Sequence, residues 1–316
     1  MSDECHGALD LSAESLDFTH GFSWTLQTNN MKILITGARG MLGRALCCYL
    51  TNHELIATNK ETMDITDSSL VSKIIHQAQP DVVIHCAAMT AVDLCEFEKE
   101  KAYLLNAVGT ANIASACNLN RVRLISISTD YVFDGDAKLP YTEYDIPTGG
   151  YTVYGQSKFA GERAVQTHCP NHVLVRLGWL YGPGGPSFVH SILKQSRKGI
   201  PVLKVVDDQF GNPTSTTEVA RALSEIIDHP EICGTFHLTC EGNVSWYEFA
   251  KKIFELQGIK QEVLPCTSQE YPRPAPRPHN SCLQKLNLKL FGLSPMKTWD
   301  AALKEALSDS SFFNNP

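Results

Sequence analysis

Two side chains that could transfer a proton lie four residues apart in the stretch Tyr154-Gly155-Gln156-Ser157-Lys158. On a helix this spacing places the Tyr154 phenol and the Lys158 ammonium on one face. A phenol titrates near ~10 and is a poor proton donor at neutral pH unless its anion is stabilised, and a nearby ammonium lowers the phenol's pKa through its charge. Upstream, the Thr129 hydroxyl ends a predicted strand and could hold a substrate oxygen opposite the phenol. The set predicts a site that polarises a carbonyl group for hydride transfer.

A glycine-rich loop with the pattern G-x-x-G-x-x-G follows the predicted strand Lys32-Ile33-Leu34-Ile35-Thr36 and precedes a helical stretch from Met41 to Leu50. Glycines at such a junction let the backbone turn tightly and approach a pyrophosphate, whose charge meets the helix N–H groups. The pattern alone is weak, but its place at the first strand–helix junction favours dinucleotide binding. The loop residues predicted to bind the cofactor are Gly37, Arg39, Gly40, Met41, Leu42 and Gly43.

The choice of cofactor depends on the end of the second predicted strand, where NAD enzymes place an acid for the ribose hydroxyls. Here the sequence is Ala57-Thr58-Asn59-Lys60, with no acid before Glu61. Lys60, beside Asn59, and Arg39 of the glycine loop would favour a 2′-phosphate. The sequence therefore favours NADP(H), with NAD(H) as the alternative. Asp64-Ile65 could border the adenine, although an acid there could equally cap the helix that begins near Ser68.

The elements that must position these residues alternate between strand and helix. Strands are predicted at 32–36, 54–58, 82–85, 123–128 and 172–177, and helices at 41–50, 68–78, 99–119 and 151–167. This alternation predicts an α/β fold, a doubly wound parallel sheet with helices on both faces. Further helices are predicted near 188–198, from capping-box patterns at Ser215–Glu218 and Ser245–Glu248, and at 300–307, with a late strand at 236–238 and a proline-rich extended loop at 271–278.

The domain organisation follows from this pattern. Residues 31–175 are predicted to form the dinucleotide-binding domain, with returning segments at about 212–240. Residues 176–211 and 241–310 are predicted to form a smaller substrate-binding lobe woven into the sheet domain. Residues 1–30 are predicted to be a disordered extension, because the fold-like pattern begins abruptly at Met31.

The composition excludes several classes of function. Against 34 acidic residues there are only 27 lysines and arginines, with no basic cluster, so nucleic-acid binding is not expected. The sequence contains no run of ~18 apolar residues, so it does not predict a membrane span. The 11 cysteines are odd in number and form no C-x-x-C pair, which indicates reduced thiols in a cytoplasmic protein.

These motifs resemble the extended branch of the short-chain dehydrogenase/reductase superfamily, and more closely the dTDP-4-dehydrorhamnose reductase family. The resemblance covers roughly Met31 to Leu307, and its specific motifs are S-T-D-Y-V-F-D-G from Ser128 and D-Q-F-G-N-P-T from Asp208. The other matching segments are 64–67, 86–93, Asn106-Ala107, 140–143, 154–158, 176–179, and Arg277-Pro278 followed by Ser281.

The resemblance implies a Rossmann-type sheet with a C-terminal α/β substrate lobe, and reduction of the C4 keto group of a dTDP-linked 6-deoxy-hexulose to give dTDP-L-rhamnose. Tyr154 would give a proton to the C4 oxygen, Lys158 would tune Tyr154 and hold the cofactor ribose, and Thr129 would bond the reacting oxygen. Further cofactor contacts are implied for Ala87, Ala88, Thr90 and Asn106. Substrate contacts are implied for Thr129, Asp130, Tyr131, Trp179, Gln209 and Arg277.

Two departures from the family pattern stand out. The residue before the tryptophan is usually a hydroxyl residue but here is Gly178, so one sugar contact is expected to be missing. Some members form a metal-bound dimer through an acid shortly after the glycine loop, and Ala45 at that position argues against Mg²⁺. A homodimer is the candidate assembly, and the oligomeric state stays open.

Two other functions remain as alternatives. Related nucleotide-sugar dehydratases place an acid pair after the threonine, because eliminating water needs a further acid and base. Here Asp130 is followed by Tyr131, which favours simple reduction over a dehydratase or epimerase. A non-catalytic NADP-binding regulatory subunit would typically have lost the tyrosine or the lysine, and this chain keeps Tyr154 and Lys158.

Overall fold

The computed structural model describes residues 30–313, so the predicted extension lies almost entirely outside the described residues. The strands are β1 Lys32–Thr36, β2 Glu54–Ala57, β3 Val82–His85, β4 Arg123–Thr129, β5 His172–Leu177, β6 Leu180–Tyr181, β7 Val202–Val206, β8 Phe210–Gly211, β9 Thr214–Ser215, β10 Gly234–His237, β11 Val244–Ser245 and β12 Glu262–Cys266. The α-helices are α1 Met41–Tyr49, α2 Ser68–Ala78, α3 Val92–Phe97, α4 Lys99–Tyr103, α5 Thr110–Asn120, α6 Val153–His168, α7 Phe188–Ser196, α8 Thr216–Ile227, α9 Trp246–Leu256, α10 Leu286–Leu290 and α11 Trp299–Ser308.

The central sheet has six parallel strands in the order β10-β5-β4-β3-β1-β2. The predicted parallel α/β fold is therefore confirmed. The chain winds outward to β2 and then returns past β1 to β3, so the direction of winding reverses between β1 and β3. Ligands of open parallel sheets bind beyond the carboxyl ends of the strands at such a reversal. The glycine-rich loop follows β1 at this position.

Successive side chains of β1 point alternately into the hydrophobic cores on the two faces of the sheet. Ile33 and Ile35 pack in one core with α1 and α8, whereas Leu34 packs in the opposite core with α2 and α5. Successive strand residues point to opposite faces, so a short apolar run fills two cores at once. Full burial of each such side chain stabilises the fold by about 1.5–3 kcal/mol.

A third hydrophobic core lies among residues of the C-terminal half of the chain. It contains the aromatic side chains Tyr181, Phe249 and Phe312 with aliphatic residues of α7, α9 and α11. Strands β7 and β12 pair in parallel beside it. The division of the chain into a sheet domain and a substrate-binding lobe stays a prediction.

Of the two predicted capping boxes, one is confirmed and one is wrong. The Ser245 hydroxyl accepts from the Glu248 amide, and the Glu248 carboxylate accepts from the Ser245 amide at 3.2 Å. At α8, the Ser215 side chain makes no cap. The Glu218 carboxylate does not reach back because it accepts from Arg221 and from the Lys297 amide at 2.9 Å.

The long helix predicted over 99–119 is present, but it changes from α-helical to π-helical hydrogen bonding in its middle. Between α4 and α5, the segment Leu104–Gly109 is a π-helix. π-Turns inside α-helices are frequent at functional sites, and this one carries Asn106. No described helix is long and apolar enough to span a membrane.

Candidate active site

A cavity of about 390 Å³ opens at the carboxyl ends of β1, β3, β4 and β5. It brings together the glycine-rich loop and the predicted proton-transfer residues. Its lining residues are Gly37, Gly40, Met41, Leu42, Gly43, Cys86, Ala88, Thr90, Val92, Ile127, Ser128, Thr129, Asp130, Tyr131, Tyr154, Lys158, Leu177, Gly178, Trp179, Leu180 and Pro186.

The glycine-rich loop turns tightly and packs against its own backbone and against the loop after β3. Gly37 has φ +65°, and a Cβ there would lie 2.8 Å from the Ala87 amide nitrogen. A Cβ at Gly43 would lie 2.4 Å from the Gly37 carbonyl oxygen. No side chain caps the first turn of α1, so its amides stay available to an anion. The loop therefore fits a dinucleotide's pyrophosphate.

The residues predicted to bind the adenosine end flank the cavity without lining it. A hydrogen bond of 2.9 Å from the Ala38 amide to the Thr58 carbonyl oxygen joins the glycine-rich loop to the end of β2. The Asn59 side chain accepts from the two amides that follow Lys60, which closes a turn. Lys60 is exposed. Arg39 pairs with Glu61 at 3.1 Å, a contact that the sequence pattern does not predict.

Asp64 and Ile65 also lie outside the cavity lining. The Asp64 carboxylate accepts from the amide and hydroxyl of Thr66, and these bonds lower its pKa. The helix cap of α2 is Asp67, whose side chain accepts from the Leu70 amide. Ile65 is buried in the core, where its side chain would lie 2.7 Å from a Cβ at Gly109.

A buried histidine links the first strand to the floor of the cavity. His85 hydrogen-bonds to the Thr36 hydroxyl at 2.8 Å and to the Thr110 hydroxyl at 3.0 Å. Because Thr110 donates to the Asn106 carbonyl, it accepts from Nε2–H of His85, and Thr36 then donates to Nδ1. The Thr36 oxygen in turn accepts from the Ala87 amide at 3.1 Å. Burial lowers the pKa of His85 to about 3, which keeps the ring neutral in this chain of bonds.

Asn106 supports the site rather than lining the cavity. Its side chain accepts from the Met89 amide at 2.8 Å and donates to the Met89 carbonyl at 3.1 Å. It also donates to the Ser157 hydroxyl at 3.0 Å. The π-turn therefore holds the loop after β3 against the helix that carries Tyr154. Ala87, Ala88 and Thr90 belong to this loop, and Ala88 and Thr90 line the cavity.

Thr129, Tyr154 and Lys158 converge on the cavity as their spacing predicts. Thr129 ends β4, while Tyr154 and Lys158 lie on successive turns of α6. The Lys158 ammonium donates to the Ile127 carbonyl at 2.7 Å. Thr152 caps α6 by accepting from the Gly155 amide, which fixes the turn on which the phenol stands.

The pKa values of this pair differ from the simple expectation. Burial raises the pKa of Tyr154, and a hydrogen bond with Thr129 only partly opposes the rise. Burial lowers the pKa of Lys158 to about 8, against the attraction of Glu162. The prediction that the ammonium lowers the phenol's pKa is therefore wrong, because burial dominates and raises that pKa. The phenol stays protonated at neutral pH, which is the form that a proton donor requires.

Trp179 and Tyr131 form the aromatic walls of the cavity. Trp179 stacks on Trp246 with ring centroids 3.3 Å apart, and its Nε1 donates to Ser281 at 3.2 Å. Its φ of +48° is unusual for a large side chain. Such strain persists where surrounding contacts hold it, often at functional sites. The Tyr131 ring meets the Tyr154 ring edge-on at 5.6 Å.

Gln209 and Arg277 do not line the cavity. The Gln209 amide donates to the Ser268 hydroxyl at 2.8 Å. Arg277 donates to the Asp93 carboxylate at 2.9 Å and to the Ala275 carbonyl at 2.8 Å. In this structure the guanidinium is therefore held by a carboxylate of α3, and the substrate contact implied for Arg277 would require that pairing to change.

A buried ion pair behind the cavity was not among the predicted site residues. Both carboxylate oxygens of Glu162 accept from Arg176 at 2.9 Å, and Ser128 donates to the same carboxylate at 2.6 Å. Glu162 lies one turn beyond Lys158 on α6. The signal in the sequence is the spacing of 154, 158 and 162 on one helix face, whereas the arginine partner comes from the neighbouring strand β5.

The described residues contain no group of three or more His, Cys, Asp or Glu side chains that could hold a metal ion. Ala45, on α1, lines a second cavity.

Comparison with known proteins decides the family. Residues 31–312 match the family model described as the RmlD substrate binding domain. The chain belongs to this family. It is 40% identical over 281 residues to a dTDP-4-dehydrorhamnose reductase of Mycolicibacterium smegmatis, which covers 88% of this chain and 85% of that relative. The resemblance to dTDP-4-dehydrorhamnose reductases that the motifs indicate is confirmed.

Two solved structures of the RmlD family extend the comparison. A dTDP-4-dehydrorhamnose reductase of Clostridium acetobutylicum has 45% identity and a TM-score of 0.85, covering 88% of this chain and 99% of that one. The enzyme of Bacillus anthracis, solved in complex with NADP, has 37% identity and a TM-score of 0.86, with the same coverage of both chains.

Proposed function

We propose that this chain reduces the C4 keto group of a dTDP-linked 4-keto-6-deoxy-hexose, most specifically dTDP-4-dehydrorhamnose to dTDP-L-rhamnose. The observation that carries the proposal is one cavity lined both by the glycine-rich loop and by Thr129, Tyr154 and Lys158. The names of the relatives support the substrate, since they include dTDP-4-dehydrorhamnose reductases and a probable 4-ketoreductase.

Each of the three residues has a distinct role in this reaction. A reduced nicotinamide dinucleotide held by the glycine-rich loop would supply hydride to C4. Tyr154 would donate its phenolic proton to the C4 oxygen. The Thr129 hydroxyl, which donates to Asp130 in this structure, would turn to the same oxygen and orient it. Lys158, fixed by the Ile127 carbonyl, places a positive charge beside the site and holds the ribose. Together the donors stabilise the charge that develops on oxygen as hydride arrives.

Asp130, Tyr131 and Trp179 shape the sugar pocket in this proposal. Tyr131 occupies the position that holds a second carboxylate in the related dehydratases, and its ring packs edge-on against Tyr154. The Tyr131 phenol, whose pKa burial raises, is not the second carboxylate that elimination of water needs as a base. The arrangement supports reduction over dehydration.

NADP(H) is the cofactor that we propose, with the glycine-rich loop holding its pyrophosphate. The NADP complex of the Bacillus anthracis relative supports this choice. In this chain, Lys60 and Arg39 lie at the end of β2 and in the loop joined to it. Both are exposed and could meet a 2′-phosphate. The reaction as proposed uses no step through a metal ion.

We expect Lys60→Ala to weaken NADPH binding ~10-fold while leaving NADH binding nearly unchanged, because a charged hydrogen bond to phosphate contributes about 1.5–3 kcal/mol. Dissociation constants for both cofactors, measured by nicotinamide fluorescence, give the comparison. Lys73→Ala on α2 is the matched control, since Lys73 is also exposed but lies away from the loop. An equal loss for both cofactors would contradict the proposed role of Lys60.

The proposed activity is tested by incubating the purified protein with a panel of 4-keto sugar nucleotides and either NADPH or NADH. We expect loss of the reduced-nicotinamide absorbance with dTDP-4-dehydrorhamnose and a product with the L-rhamno configuration. Cofactor binding without oxidation on any keto sugar would contradict the reductase proposal and favour a regulatory role.

A further inference from the structure

The segment 208–214, D-Q-F-G-N-P-T, lies behind one wall of the cavity and contributes no residue to the lining. Its predicted substrate contact, Gln209, is buried and donates to Ser268. Two other residues of the segment contact Trp179, which does line the cavity. A segment placed in this way acts on a ligand through the wall that it supports. The contacts of the motif with Trp179 therefore indicate what it does.

Two residues of the motif hold Trp179 in its left-handed backbone conformation, φ +48°. The Thr214 amide donates to the Trp179 carbonyl at 3.1 Å, and the chain continues from these two residues as the paired strands β6 and β9. A Cβ at Gly211 would lie 2.3 Å from both Nε1 and Cε2 of Trp179. The motif therefore anchors the backbone of Trp179 through Thr214 and makes room for its indole at Gly211.

Trp246 supports the same indole without lining the cavity. The two rings are parallel within 2° and their centroids are 3.3 Å apart. Trp246 directly follows β11, which pairs antiparallel with β8, the strand that contains Gly211. The capping box of Ser245 begins α9 at Trp246. The two-stranded ribbon of β8 and β11 therefore brings both Gly211 and Trp246 against Trp179.

A hydrogen bond fixes the rotation of the indole. Its Nε1 donates to the Ser281 hydroxyl at 3.2 Å, and Ser281 is buried. The Ser281 amide donates to the carbonyl of Phe210, in β8, at 2.8 Å. The acceptor of the indole N–H is thus tied to the same ribbon. Packing and hydrogen bonds that lock a side chain in this way preorganise a binding wall.

We propose that Gly211 and Thr214 of the motif, with Trp246 and Ser281, are positioning residues that fix Trp179 as the wall for the sugar. The inference rests on the proposed reduction, since the wall would place C4 of the sugar before the Tyr154 phenol. None of the four touches the substrate in this proposal. Their effect is confined to the sugar, so binding of the cofactor and of dTDP does not depend on them.

Trp246→Ala removes the stacked ring and tests the inference most directly. KM for the 4-keto sugar nucleotide should rise ~10-fold, the upper end of what one aromatic pair contributes. A wall that contacts ground state and transition state alike changes KM more than kcat, so kcat should stay within about threefold. The inhibition constant of dTDP and the dissociation constant of NADPH should stay within about twofold. Trp246→Phe keeps an aromatic face and should restore most of the lost KM.

Trp299→Ala is the matched control for the loss of a tryptophan. Trp299 packs against the same third core, and its ring meets Phe249 at 5.9 Å. Its removal should lower stability without changing KM. Gly211→Ala tests the wall from the motif, because the added Cβ displaces the Trp179 indole. It should raise KM and leave the inhibition constant of dTDP unchanged, as Trp246→Ala does.

Calorimetric binding of dTDP-L-rhamnose and of dTDP separates this inference from the proposed reduction. The advantage of the sugar nucleotide over dTDP should shrink ~10-fold in Trp246→Ala, a result that needs no turnover. An unchanged advantage, or a wild type that binds both ligands equally, overturns the inference. So does an inhibition constant of dTDP that rises as much as KM, because the stack then only holds the fold together. If Trp246→Ala does not fold, Gly211→Ala decides, and an unchanged KM and binding advantage in that variant overturn the inference. A wild type that binds the sugar nucleotide but oxidises no NADPH contradicts the reduction alone.

Discussion

Replacing Tyr154 with phenylalanine should lower kcat by ~10²–10⁴-fold, the range typical of a lost general acid. The substitution removes one oxygen and keeps the ring that packs against Tyr131. The affinity for the cofactor should stay within about twofold, since the phenol contributes to the reacting end of the cavity and not to the glycine-rich loop. Steady-state kinetics with the 4-keto sugar and a separate cofactor titration measure the two quantities.

The control for this substitution is Tyr151→Phe. Tyr151 lies three residues earlier, is 64% exposed and donates its hydroxyl to Asp136 at 2.8 Å. Removing that surface hydroxyl should leave kcat unchanged. Turnover that survives intact in Tyr154→Phe would remove the phenol from the mechanism and with it the proposed function.

The physical basis of this large effect is burial. A solvent-exposed phenol would exchange its proton with water, and water could replace it as donor. Tyr154 is 9% exposed, and its pKa is raised by desolvation. Beside Tyr154, burial disfavours the charged form of Lys158 and lowers the pKa of Lys158 to about 8. The site therefore holds Tyr154 as a protonated phenol beside the Lys158 ammonium, whose charged form is disfavoured by burial.

Features set by local spacing could be predicted from the sequence. The parallel sheet, the glycine-rich loop and the common face of Tyr154 and Lys158 all follow from periodicity and from short motifs. Each depends on residues within one helical turn or one strand–helix junction. The capping box at Ser245 belongs to the same class, because both partners lie within four residues.

Features set by distant partners could not be predicted. At Ser215 the capping pattern is present, but Lys297, far along the chain, competes for the same glutamate. Arg277 pairs with Asp93 across 184 residues. Arg39 meets Glu61 only because β2 returns beside β1. Such contacts depend on the packed fold, which local propensity does not specify.

The buried pair of Glu162 and Arg176 should give the largest effect on stability. Glu162→Gln keeps the shape but leaves the Arg176 guanidinium uncompensated at 3% exposure. Breaking a buried ion pair on one side costs about 3–5 kcal/mol. We expect the free energy of unfolding to fall by about that amount, measured as a lower urea midpoint with an unchanged m-value. Loss of the Glu162 charge should also lower the pKa of Lys158 further, because Glu162 now opposes that shift.

The exposed pair of Lys252 and Glu255 provides the matched control. These side chains meet at 2.8 Å on α9, with exposures of 30% and 66%. Glu255→Gln should change stability by about 0–1 kcal/mol, since water screens an exposed pair. Adding Arg176→Met to Glu162→Gln removes the orphaned charge and should recover part of the lost stability. Two outcomes would show that the buried charge pair does not hold α6 to β5. One is a loss of unfolding free energy in Glu162→Gln no larger than in Glu255→Gln. The other is a double variant, Glu162→Gln with Arg176→Met, that is less stable than Glu162→Gln alone.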